Sequence, residues 1–350
     1  MADSAPLSAE ELAATVESIA VVQLDDGMIP WFPGGHADPW NHVEAAMALA
    51  TGGRMAEAEA AYAWLAANQR PDGAWHRYYL PGRVKDAVLD ANVTAYVATG
   101  VWHQWLATGD TGFLARMWPV VEAAVGFVLD LQAPGGEILW ARHVDGTPWS
   151  FALLTASSST CHSLGSALAV ARLLGHERSS WELAAGRLAE AVARRPGAFL
   201  PKDRWAMDWY YPVLAGVVTG EEGGARLAAG RDRFVMDGLG VRCVADKPWV
   251  TAAETCECAI AHASVAETGV AADLLASTRH LRHHDGSYFT GMVHPDRVHF
   301  PGGERTTYTA AAVVLAADVL AGAGPASRLF ARPGPRSTAE TGNRQAGGGA

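Results

Sequence analysis

A polar segment that leads into an alanine-rich apolar stretch occurs six times along this 350-residue chain. The first polar residues of the six segments are at positions 38, 90, 157, 208, 254 and 304, a near-regular spacing. The segments are Asp38-Pro39-Trp40-Asn41, Asp90-Ala91-Asn92, Ser157-Ser158-Ser159-Thr160, Asp208-Trp209, Ala253-Glu254-Thr255 and Glu304-Arg305-Thr306-Thr307. Such a repeat indicates one supersecondary unit copied along or around an axis. If the axis closes, all six polar segments meet at one end, where we expect the active site.

Amphipathic segments with a helical period alternate with these apolar stretches. They cover residues 8–22, 54–68, 111–131, 180–195, 223–233 and 270–281. The stretches after the polar segments carry fewer charges, and helices that are apolar all round belong in the interior. The alternation predicts an all-α fold of six helical hairpins, each an outer helix followed by a more buried inner helix. Short β pieces are expected at Gly-containing turns such as 26–27, 72–75, 135–136 and 285–288.

Composition limits both the domain organisation and the classes of partner. The chain is 49% hydrophobic and the repeat crosses every plausible boundary, which predicts one catalytic domain over residues 1–324. Residues 325–350 lose the periodicity and fill with Gly, Pro, Ser and Arg, which predicts a disordered tail. The net charge of -10, without a basic run among aromatic residues, argues against nucleic acid. We find no uninterrupted apolar stretch of membrane-spanning length and no basic, apolar secretion signal, so we expect a cytoplasmic protein with no membrane partner. An oligomer is compatible with these features.

A second repeat resembles a known family. The segment Gln69-Arg70-Pro71-Asp72-Gly73-Ala74-Trp75 matches the Gln-x-x-x-Gly-x-Trp motif of squalene and hopene cyclases, with weaker matches at 23–27, 132–136 and 283–288. The resemblance implies an (α/α)6 toroid, a fold shared by terpene cyclases, protein prenyltransferase β subunits and many glycoside hydrolases. The motif indicates the fold more than the function, because its Gln and Trp have structural roles of their own.

Residues 8–322 also resemble an actinobacterial group that is often labelled prenyltransferase-like. The resemblance rests on Trp31-Phe32, Asp38-Pro39-Trp40, His42, Glu44-Ala45-Ala46-Met47-Ala48-Leu49, Met207-Asp208-Trp209-Tyr210-Tyr211-Pro212 and Gly240-Val241-Arg242-Cys243. Because a member of this group resembles a hydrolase of methylated mannose polysaccharides, the likeness implies a glycoside hydrolase that acts on an intracellular α-mannan, such as a methylmannose polysaccharide, by endo cleavage. In this group the residue after Asp-Pro-Trp is often Asp; here it is Asn41, which weakens a catalytic role for that position.

The carboxylates at the helix starts have two interpretations. Asp38 before Pro39 is a good N-cap, and Asp90, Asp208 and Glu254 could cap their helices too. Taken as a ring with aromatic neighbours, however, they suit glycoside cleavage, which needs two carboxyls around the scissile bond. Asp38 and Glu254 are the proposed pair, and Asp208 is the reserve candidate. Likeness to glucoamylase-like toroids implies an inverting reaction with Asp38 as acid and Glu254 as base, although the roles could be reversed.

Aromatic and hydrogen-bonding residues accompany the carboxylates, as a pyranose with one apolar face and several hydroxyls requires. The expected substrate-binding residues are Trp31, His36, Trp40, Asn41, His42, Trp75, Asp90, Asn92, Arg204, Trp209, Tyr210, Arg242, Trp249, Glu257 and Tyr308. Glu44 lies in an apolar segment where a bare charge is costly. We therefore expect an Arg or His partner for Glu44, with direct catalysis as the alternative.

Rival chemistries have weaker signals. The segment Glu254-Thr255-Cys256-Glu257-Cys258 loosely resembles the zinc-binding Asp-x-Cys pair of protein prenyltransferases, and five histidines follow it between residues 280 and 299. Cys256 and Cys258 point to different sides of a helix, so two buried thiols are the preferred interpretation, and no metal or cofactor is predicted. Residues 157–160 with His162 are interpreted as helix-capping hydroxyls, not as a nucleophile and base. A prenyl or terpenoid enzyme and a non-catalytic carbohydrate-binding protein stay as alternatives.

Overall fold

The computed structural model describes residues 7–330, and this part of the chain is mostly helical with short strands. In chain order the helices are α1 (Ala9–Ala20), α2 (Pro39–Thr51), α3 (Met55–Asn68), α4 (Ala91–Thr108), α5 (Thr111–Leu129), α6 (Leu154–Leu173), α7 (Ser179–Arg194), α8 (Ala206–Leu214), α9 (Gly220–Phe234), α10 (Ala252–Ser264), α11 (Thr268–Ser277), α12 (Thr307–Ala321) and α13 (Pro325–Phe330). Helices α1 to α12 coincide with the outer and inner segments that hydrophobic periodicity predicts.

The even-numbered helices form a closed set of contacts. Helix α2 packs against α4, α4 against α6, α6 against α8, α8 against α10, and α10 against α12, which packs against α2. Each of the odd-numbered helices packs on one of these: α3 on α2, α5 on α4, α7 on α6, α9 on α8, α11 on α10 and α1 on α12. The even-numbered helices therefore form an inner layer and the odd-numbered ones an outer layer, but each inner helix from α2 to α10 packs mainly on the outer helix that follows it, not on the preceding one as the predicted hairpins had it.

Glutamine side chains join successive outer helices. Gln69 Nε2 donates one hydrogen bond to the Gly73 carbonyl (2.9 Å) and another to the Val120 carbonyl of α5 (2.8 Å). Gln23 makes the same pair of bonds with Gly27 and Glu57, and Gln132 with Gly136 and Ala184. Each glutamine thus closes its own turn and holds the next outer helix, which explains why the motif recurs with the repeat.

The glycine of this motif is required by contact and by conformation. Gly73 has a φ of +86°, and a Cβ on it would lie 2.1 Å from the Ala123 carbonyl oxygen of α5. Gly286, in the turn after α11, makes the equivalent approach to Ala14 of α1. The last turn therefore packs on the first outer helix, and the repeat returns to its start.

The motif tryptophan does not bind substrate. Trp75 is fully buried, and its Nε1 donates a hydrogen bond to the Leu65 carbonyl at 2.9 Å. The expectation of a substrate contact is wrong for this residue, because its indole packs beneath the outer helix and its single donor is already used.

Strands lie in the loops that precede the inner helices, and they form more sheet than predicted. They are β1 (Tyr78–Leu80), β2 (Arg83–Asp86), β3 (Leu89–Asp90), β4 (Ala141–Arg142), β5 (Val235–Met236), β6 (Gly240–Arg242), β7 (Trp249–Thr251), β8 (Phe289–Val293) and β9 (Val298–Arg305). Strands β5 to β9 form one antiparallel sheet in chain order, β1 pairs with β2, and β3 pairs with β4. The predicted Gly pieces are turns with at most isolated bridges. Because β7 leads directly into α10, the sheet positions the start of that helix.

The polar segments begin the inner helices in two ways. Asp38 and Asp90 are N-caps of α2 and α4, as expected. Asp208 and Glu254 are not caps, since they lie inside the first turns of α8 and α10. Residues 157–160 are not caps either, because α6 starts three residues earlier, and Ser158 donates to the carbonyl of the preceding turn.

Two segments need comment. Helix α5 is 19 residues long and apolar enough to cross a membrane by length and composition, but Arg116 and Glu122 interrupt its apolar sequence, it packs on α4, and more than half of its apolar window is buried. The disordered tail was expected from residue 325, but α13 buries Ala326, Leu329 and Phe330 against α4 and α12. The remaining residues of that predicted tail, 331–350, lie outside the described part of the chain.

Candidate active site

Asp38 is a buried carboxylate that accepts hydrogen bonds from three donors. Trp31 Nε1 and Asn41 Nδ2 each lie 2.7 Å from Asp38 Oδ2, and the Asn41 backbone N–H lies 3.0 Å from Asp38 Oδ1. Burial raises the pKa of Asp38, whereas these three donors favour its ionised form and act in the opposite direction. As the N-cap, Asp38 places its carboxylate over the start of α2, between Asn41 and the loop that carries Trp31.

Glu254 lies in the first turn of α10, and burial raises the pKa of its carboxyl. Burial also raises the pKa of Tyr308, and the carboxylates of Glu254 and Asp38 raise it further. Both carboxyls are therefore within electrostatic reach of the Tyr308 side chain at the start of α12. Asp38 and Glu254 thus lie at the starts of α2 and α10, two helices that both pack on α12.

Two more carboxyls, Glu44 and Glu257, lie further along α2 and α10. Glu44 Oε1 accepts hydrogen bonds from Trp40 Nε1 (2.9 Å) and the Tyr96 hydroxyl (3.3 Å), so the expected Arg or His partner is wrong. Glu257 accepts hydrogen bonds from the hydroxyls of Tyr210 and Tyr211. All of these partners are neutral, and neither carboxyl has a compensating cation among them.

The pKa values of this deeper pair reflect the neutral surroundings. Burial raises the pKa of Glu44 to about 7, and the nearby Asp38 carboxylate acts in the same direction. Burial and the Glu44 carboxylate hold the pKa of Glu257 well above its usual range. The two groups are therefore close enough to repel each other when both are ionised, which favours a proton on at least one of them.

Aromatic rings surround Asp38. The Trp31 ring lies 4.2 Å from the ring of His36, 5.9 Å from Tyr78 and 5.1 Å from Tyr308. Lys85 Nζ lies 3.1 Å from His36 Nδ1, and burial together with this cation lowers the pKa of His36. The rings of this aromatic wall suit the apolar face of a sugar ring.

Asp90 adds a polar group next to this wall. Its carboxylate accepts the backbone N–H groups of Asn92 (2.9 Å) and Val93 (3.1 Å), and burial raises its pKa to about 6 against the opposing effect of Arg77. Burial raises the pKa of Tyr78, and the Asp38 and Asp90 carboxylates act in the same direction. Asn92 Oδ1 is buried with no hydrogen-bond partner among the described residues, as a ligand-binding atom would be.

Two more expected contacts lie outside the site. His42 is buried, with Nδ1 accepting the Ile29 N–H (3.1 Å) and Nε2 bonded to the Ala61 carbonyl (2.9 Å). Trp209 donates to the Arg226 carbonyl and stacks on the ring of Phe234. Both side chains have their polar atoms used by the fold, so the expectation of substrate binding is wrong for them.

Arg204 and Asp208 also leave the predicted cluster. Arg204 forms an exposed ion pair with Asp246, with 2.6 Å between Nε and Oδ1, and does not take part in a buried site. Asp208 accepts the Thr155 hydroxyl at 2.6 Å and lines a cavity of about 510 Å³ together with residues of α9 and the 196–203 segment. Among the described residues no hydrogen bond joins the Asp208 carboxylate to Asp38 or Glu254, and its partner is Thr155.

Four further residues were expected to bind substrate: Trp40, Tyr210, Trp249 and Arg242. Trp40 and Tyr210 contact the deep carboxyls, and Trp249 is 37% exposed on β7, with its ring 5.6 Å from that of Phe300. Arg242 on β6 has a buried Nε without a hydrogen-bond partner among the described residues. Trp249 and Arg242 are therefore available to a ligand, whereas Tyr210 is fully buried with its hydroxyl bonded to Glu257, so the expectation of substrate binding is wrong for Tyr210.

Sequence reasoning missed Tyr78, Tyr96 and Tyr211 as members of the site. Tyr211 belongs to the aromatic run after Asp208 and could have been included with Tyr210. Tyr78 and Tyr96 have no local signal, because their role depends on strand β1 and helix α4 being placed beside α2.

The cysteine segment does not form a ligand set. Cys256 and Cys258 are fully buried free thiols, and burial raises the pKa of both. Within residues 7–330, no group of three or more His, Cys, Asp or Glu side chains is arranged to hold a metal ion. The positions of the two thiols agree with the predicted structural role.

Comparison with known proteins gives independent evidence on the family of this chain. No family model matches the chain. The chain is 49% identical over 324 residues, 93% of its length and 90% of the relative's, to the MMP endo-(1,4)-3-O-methyl-alpha-D-mannosidase of Mycolicibacterium hassiacum. Identity at this level over nearly the whole of both chains establishes common family membership.

Solved structures share the fold at low sequence identity. A wild-type glycosidase matches with a TM-score of 0.72 and 16% identity, covering 90% of this chain and 99% of that one. The GH63 mannosylglycerate hydrolase of Thermus thermophilus matches with a TM-score of 0.67 and 13% identity, covering 87% and 99%. A D-mannose isomerase matches with a TM-score of 0.64 and 12% identity, covering 91% and 100%. The chain belongs to the family of the Mycolicibacterium hassiacum MMP endo-(1,4)-3-O-methyl-alpha-D-mannosidase, and it is a glycosidase.

Proposed function

We propose that this glycosidase cleaves internal α-mannosidic bonds of a methylmannose polysaccharide by two-carboxylate catalysis. The observation that carries the proposal is that Asp38 caps α2 and Glu254 lies in the first turn of α10, two helices that both pack on α12, whose Tyr308 ring lies 5.1 Å from the ring of Trp31, the donor to Asp38. The substrate class follows from the 49% identity to the endo-mannosidase named above. The aromatic wall of Trp31, Tyr78 and Tyr308 supplies the apolar surface that methylated sugars favour.

We also propose that the helices form an (α/α)6 toroid. The support is the closed set of contacts from α2 through α12 and back to α2, with one outer helix packed on each member. In such a toroid the starts of the inner helices lie at one end, which accounts for the proximity of Asp38, Glu254 and Tyr308.

The hydrogen bonds favour a particular division of roles. Asp38 accepts bonds from Trp31 and Asn41 that stabilise its ionised form, so Asp38 is assigned as the base that activates water. Glu254, whose pKa burial raises, is assigned as the acid that protonates the leaving oxygen. This assignment reverses the one that likeness to glucoamylase-like toroids implies. With inversion, the two carboxyls lie roughly 6.5–9.5 Å apart with a water between them and the sugar.

Hydrolysis of purified methylmannose polysaccharide tests the reaction and the pair together. Wild-type protein should release shorter oligosaccharides, and Asp38→Asn or Glu254→Gln should each reduce the rate about 100-fold or more. Asp208→Asn, in the outer cavity, is the matched carboxyl-to-amide control and should retain activity. Binding without cleavage by wild-type protein would support the carbohydrate-binding alternative instead.

An activated leaving group separates the two roles. An aryl glycoside of a methylmannose oligosaccharide with an acidic phenol needs no proton for departure. Glu254→Gln should recover much of its rate on this substrate, while Asp38→Asn should stay slow. Recovery by Asp38→Asn alone would instead support Asp38 as the acid and Glu254 as the base. NMR of the anomer that forms first distinguishes inversion from retention of configuration.

A further inference from the structure

A loop between α5 and α6 carries four rings in mutual contact. The Trp149 ring lies 4.6 Å from Trp140, 5.6 Å from Phe151 and 5.2 Å from His143, on which it stacks at an interplanar angle of 21°. Trp140 and Phe151 stack at 5.7 Å with an angle of 13°. We call these four residues the loop platform.

Packing in the hydrophobic core does not explain the loop platform. Trp140, Trp149 and Phe151 are half-buried, and they belong neither to the hydrophobic core nor to the half-buried apolar side chains packed against it. Residues 143–148 and 150 around them are exposed. Three large rings gathered on a surface loop form an apolar patch of the kind that marks binding surfaces.

The loop platform is continuous with the wall around Asp38. Arg77 lies over the Tyr78 ring at 4.9 Å and over the Trp140 ring at 5.4 Å, so it links the two groups of rings. Tyr78 in turn lies 5.9 Å from Trp31, the donor to Asp38. A row of rings therefore leads from the candidate catalytic carboxyl to the tip of the loop.

The chemistry of this row suits successive sugar residues. Rings offer faces for stacking, and Arg77 offers donors for hydroxyls beside them. Trp149 Nε1 is buried without a hydrogen-bond partner among the described residues, so the ring would contribute through its face and not through this donor. The carboxylate of Asp90, which lies near Arg77, gives this end of the row an acceptor.

We propose that the loop platform is a distal binding subsite for methylated mannose residues of the polysaccharide, several sugars away from the bond that is cleaved. The proposal rests on the proposed function and extends it, since an endo-acting enzyme needs binding surface beyond the cleavage point. O-methyl groups on the bound sugars add apolar area against the rings of Trp149 and Trp140. The subsite should therefore contribute to the binding of long chains and not to that of short ones.

Chain-length dependence of the kinetics tests the subsite. Trp149→Ala should raise KM for the full polysaccharide roughly 5- to 10-fold, with kcat unchanged, as expected for the loss of one ring contact. It should leave kcat/KM for the shortest cleaved oligosaccharide within about twofold of wild type. Val144→Ala, an exposed apolar residue of the same loop, is the matched control and should change neither value. Trp149→Phe, which keeps a ring, should restore most of the affinity.

Three results would overturn the subsite: equal losses on long and short substrates, no loss on the polysaccharide, or a loss that Val144→Ala reproduces. Calorimetry on the Asp38→Asn variant, with and without Trp149→Ala, measures the affinity for the polysaccharide. This measurement does not depend on turnover. If wild-type protein fails to cleave the polysaccharide, the proposed function fails, and the calorimetry still decides on the subsite. Binding that Trp149→Ala leaves unchanged in that background counts against it. Equal melting temperatures of the variants show that the fold is intact.

Discussion

Trp40 donates its indole N–H to Glu44, one turn further along α2, at 2.9 Å. The same ring lies 5.5 Å from that of Tyr96, the second donor to Glu44, and 6.0 Å from that of Tyr211, a donor to Glu257. The rings of one aromatic cluster thus hold both deep carboxyls with hydrogen bonds from neutral groups. Without a cation nearby, ionising these carboxyls costs free energy of folding, and this cost makes the pair a source of pH dependence.

Replacing Glu44 by Gln should stabilise the protein above neutral pH. The folded-state pKa of Glu44 is raised to about 7 from its ordinary 4.5, so the folded state binds a proton that the unfolded state releases between these values. Stability from this group is therefore greatest below pH 4.5 and is lost as the pH rises through 7. Glu44→Gln keeps an acceptor for Trp40 and removes the charge. Its melting temperature should exceed that of wild type at pH 8, and the difference should shrink towards pH 5.

The control for this measurement is Glu59→Gln, which removes an exposed carboxyl from the surface of α3. Thermal unfolding followed by circular dichroism at several pH values compares the two variants. A Glu44→Gln melting temperature below wild type at pH 8, or one with the same offset at every pH, would contradict a buried carboxyl with a raised pKa.

Replacing Asn41 by Asp should move the acid limb of the pH–rate profile upwards. Asn41 Nδ2 donates to Asp38 Oδ2 at 2.7 Å, and a carboxylate in its place would repel Asp38 and raise its pKa. If Asp38 is the base, activity at low pH should fall while activity at high pH changes less. Asn68→Asp at the end of α3 adds the same charge at a side chain that bonds to the Trp64 carbonyl and not to Asp38, and it should leave the profile in place. An unshifted acid limb for Asn41→Asp would argue against Asp38 as the titrating base.

Trp31→Phe should reduce kcat/KM about tenfold or more. The substitution keeps a ring in the aromatic wall but removes the hydrogen bond of 2.7 Å to Asp38 Oδ2, and a bond to a charged group contributes about 1.5–3 kcal/mol. The lost donor should also raise the pKa of Asp38 and shift the acid limb in the same direction as Asn41→Asp. Trp249→Phe, which changes an indole on β7, serves for comparison. Wild-type activity in Trp31→Phe would show that this donor does not position the carboxyl.

Gly73→Ala should destabilise the outer layer. The φ of +86° disfavours any side chain, and the new Cβ would lie 2.1 Å from the Ala123 carbonyl oxygen, so the turn after α3 must move away from α5. We expect a loss of about 1–3 kcal/mol in the free energy of unfolding. The matched control is Gly126→Ala in the last turn of α5, where no atom of a neighbouring element lies within 4 Å of the new Cβ. That change should stabilise by roughly 0.5–1 kcal/mol. Equal effects of the two substitutions in chemical denaturation would contradict the close approach at Gly73.

Local patterns predicted the helices well because they depend on neighbours within a turn or two. The charge-bearing outer segments and the alanine-rich inner ones fall on α1 to α12, and Asp38 and Asp90 cap their helices as expected. The same local logic failed at residues 157–160, where α6 begins earlier than the serines suggest. A run of hydroxyl residues is compatible with a cap and with a buried helical turn, and only packing distinguishes these.

The sequence by itself determined the repeat, the order of outer and inner helices, and the residue types available at the helix starts, because periodicity and glycine or proline preferences act locally. The tertiary structure alone decided which of these residues meet. Packing of α2 and α10 on α12 places the Tyr308 ring beside Trp31, the donor to Asp38, and the Trp40 ring links the partners of Glu44 and Glu257, while packing buries Trp75 and His42 and places Asp208 at a cavity lined by α9. The direction of a side chain depends on which helix packs beside it, and that is settled by contacts between residues far apart in the chain.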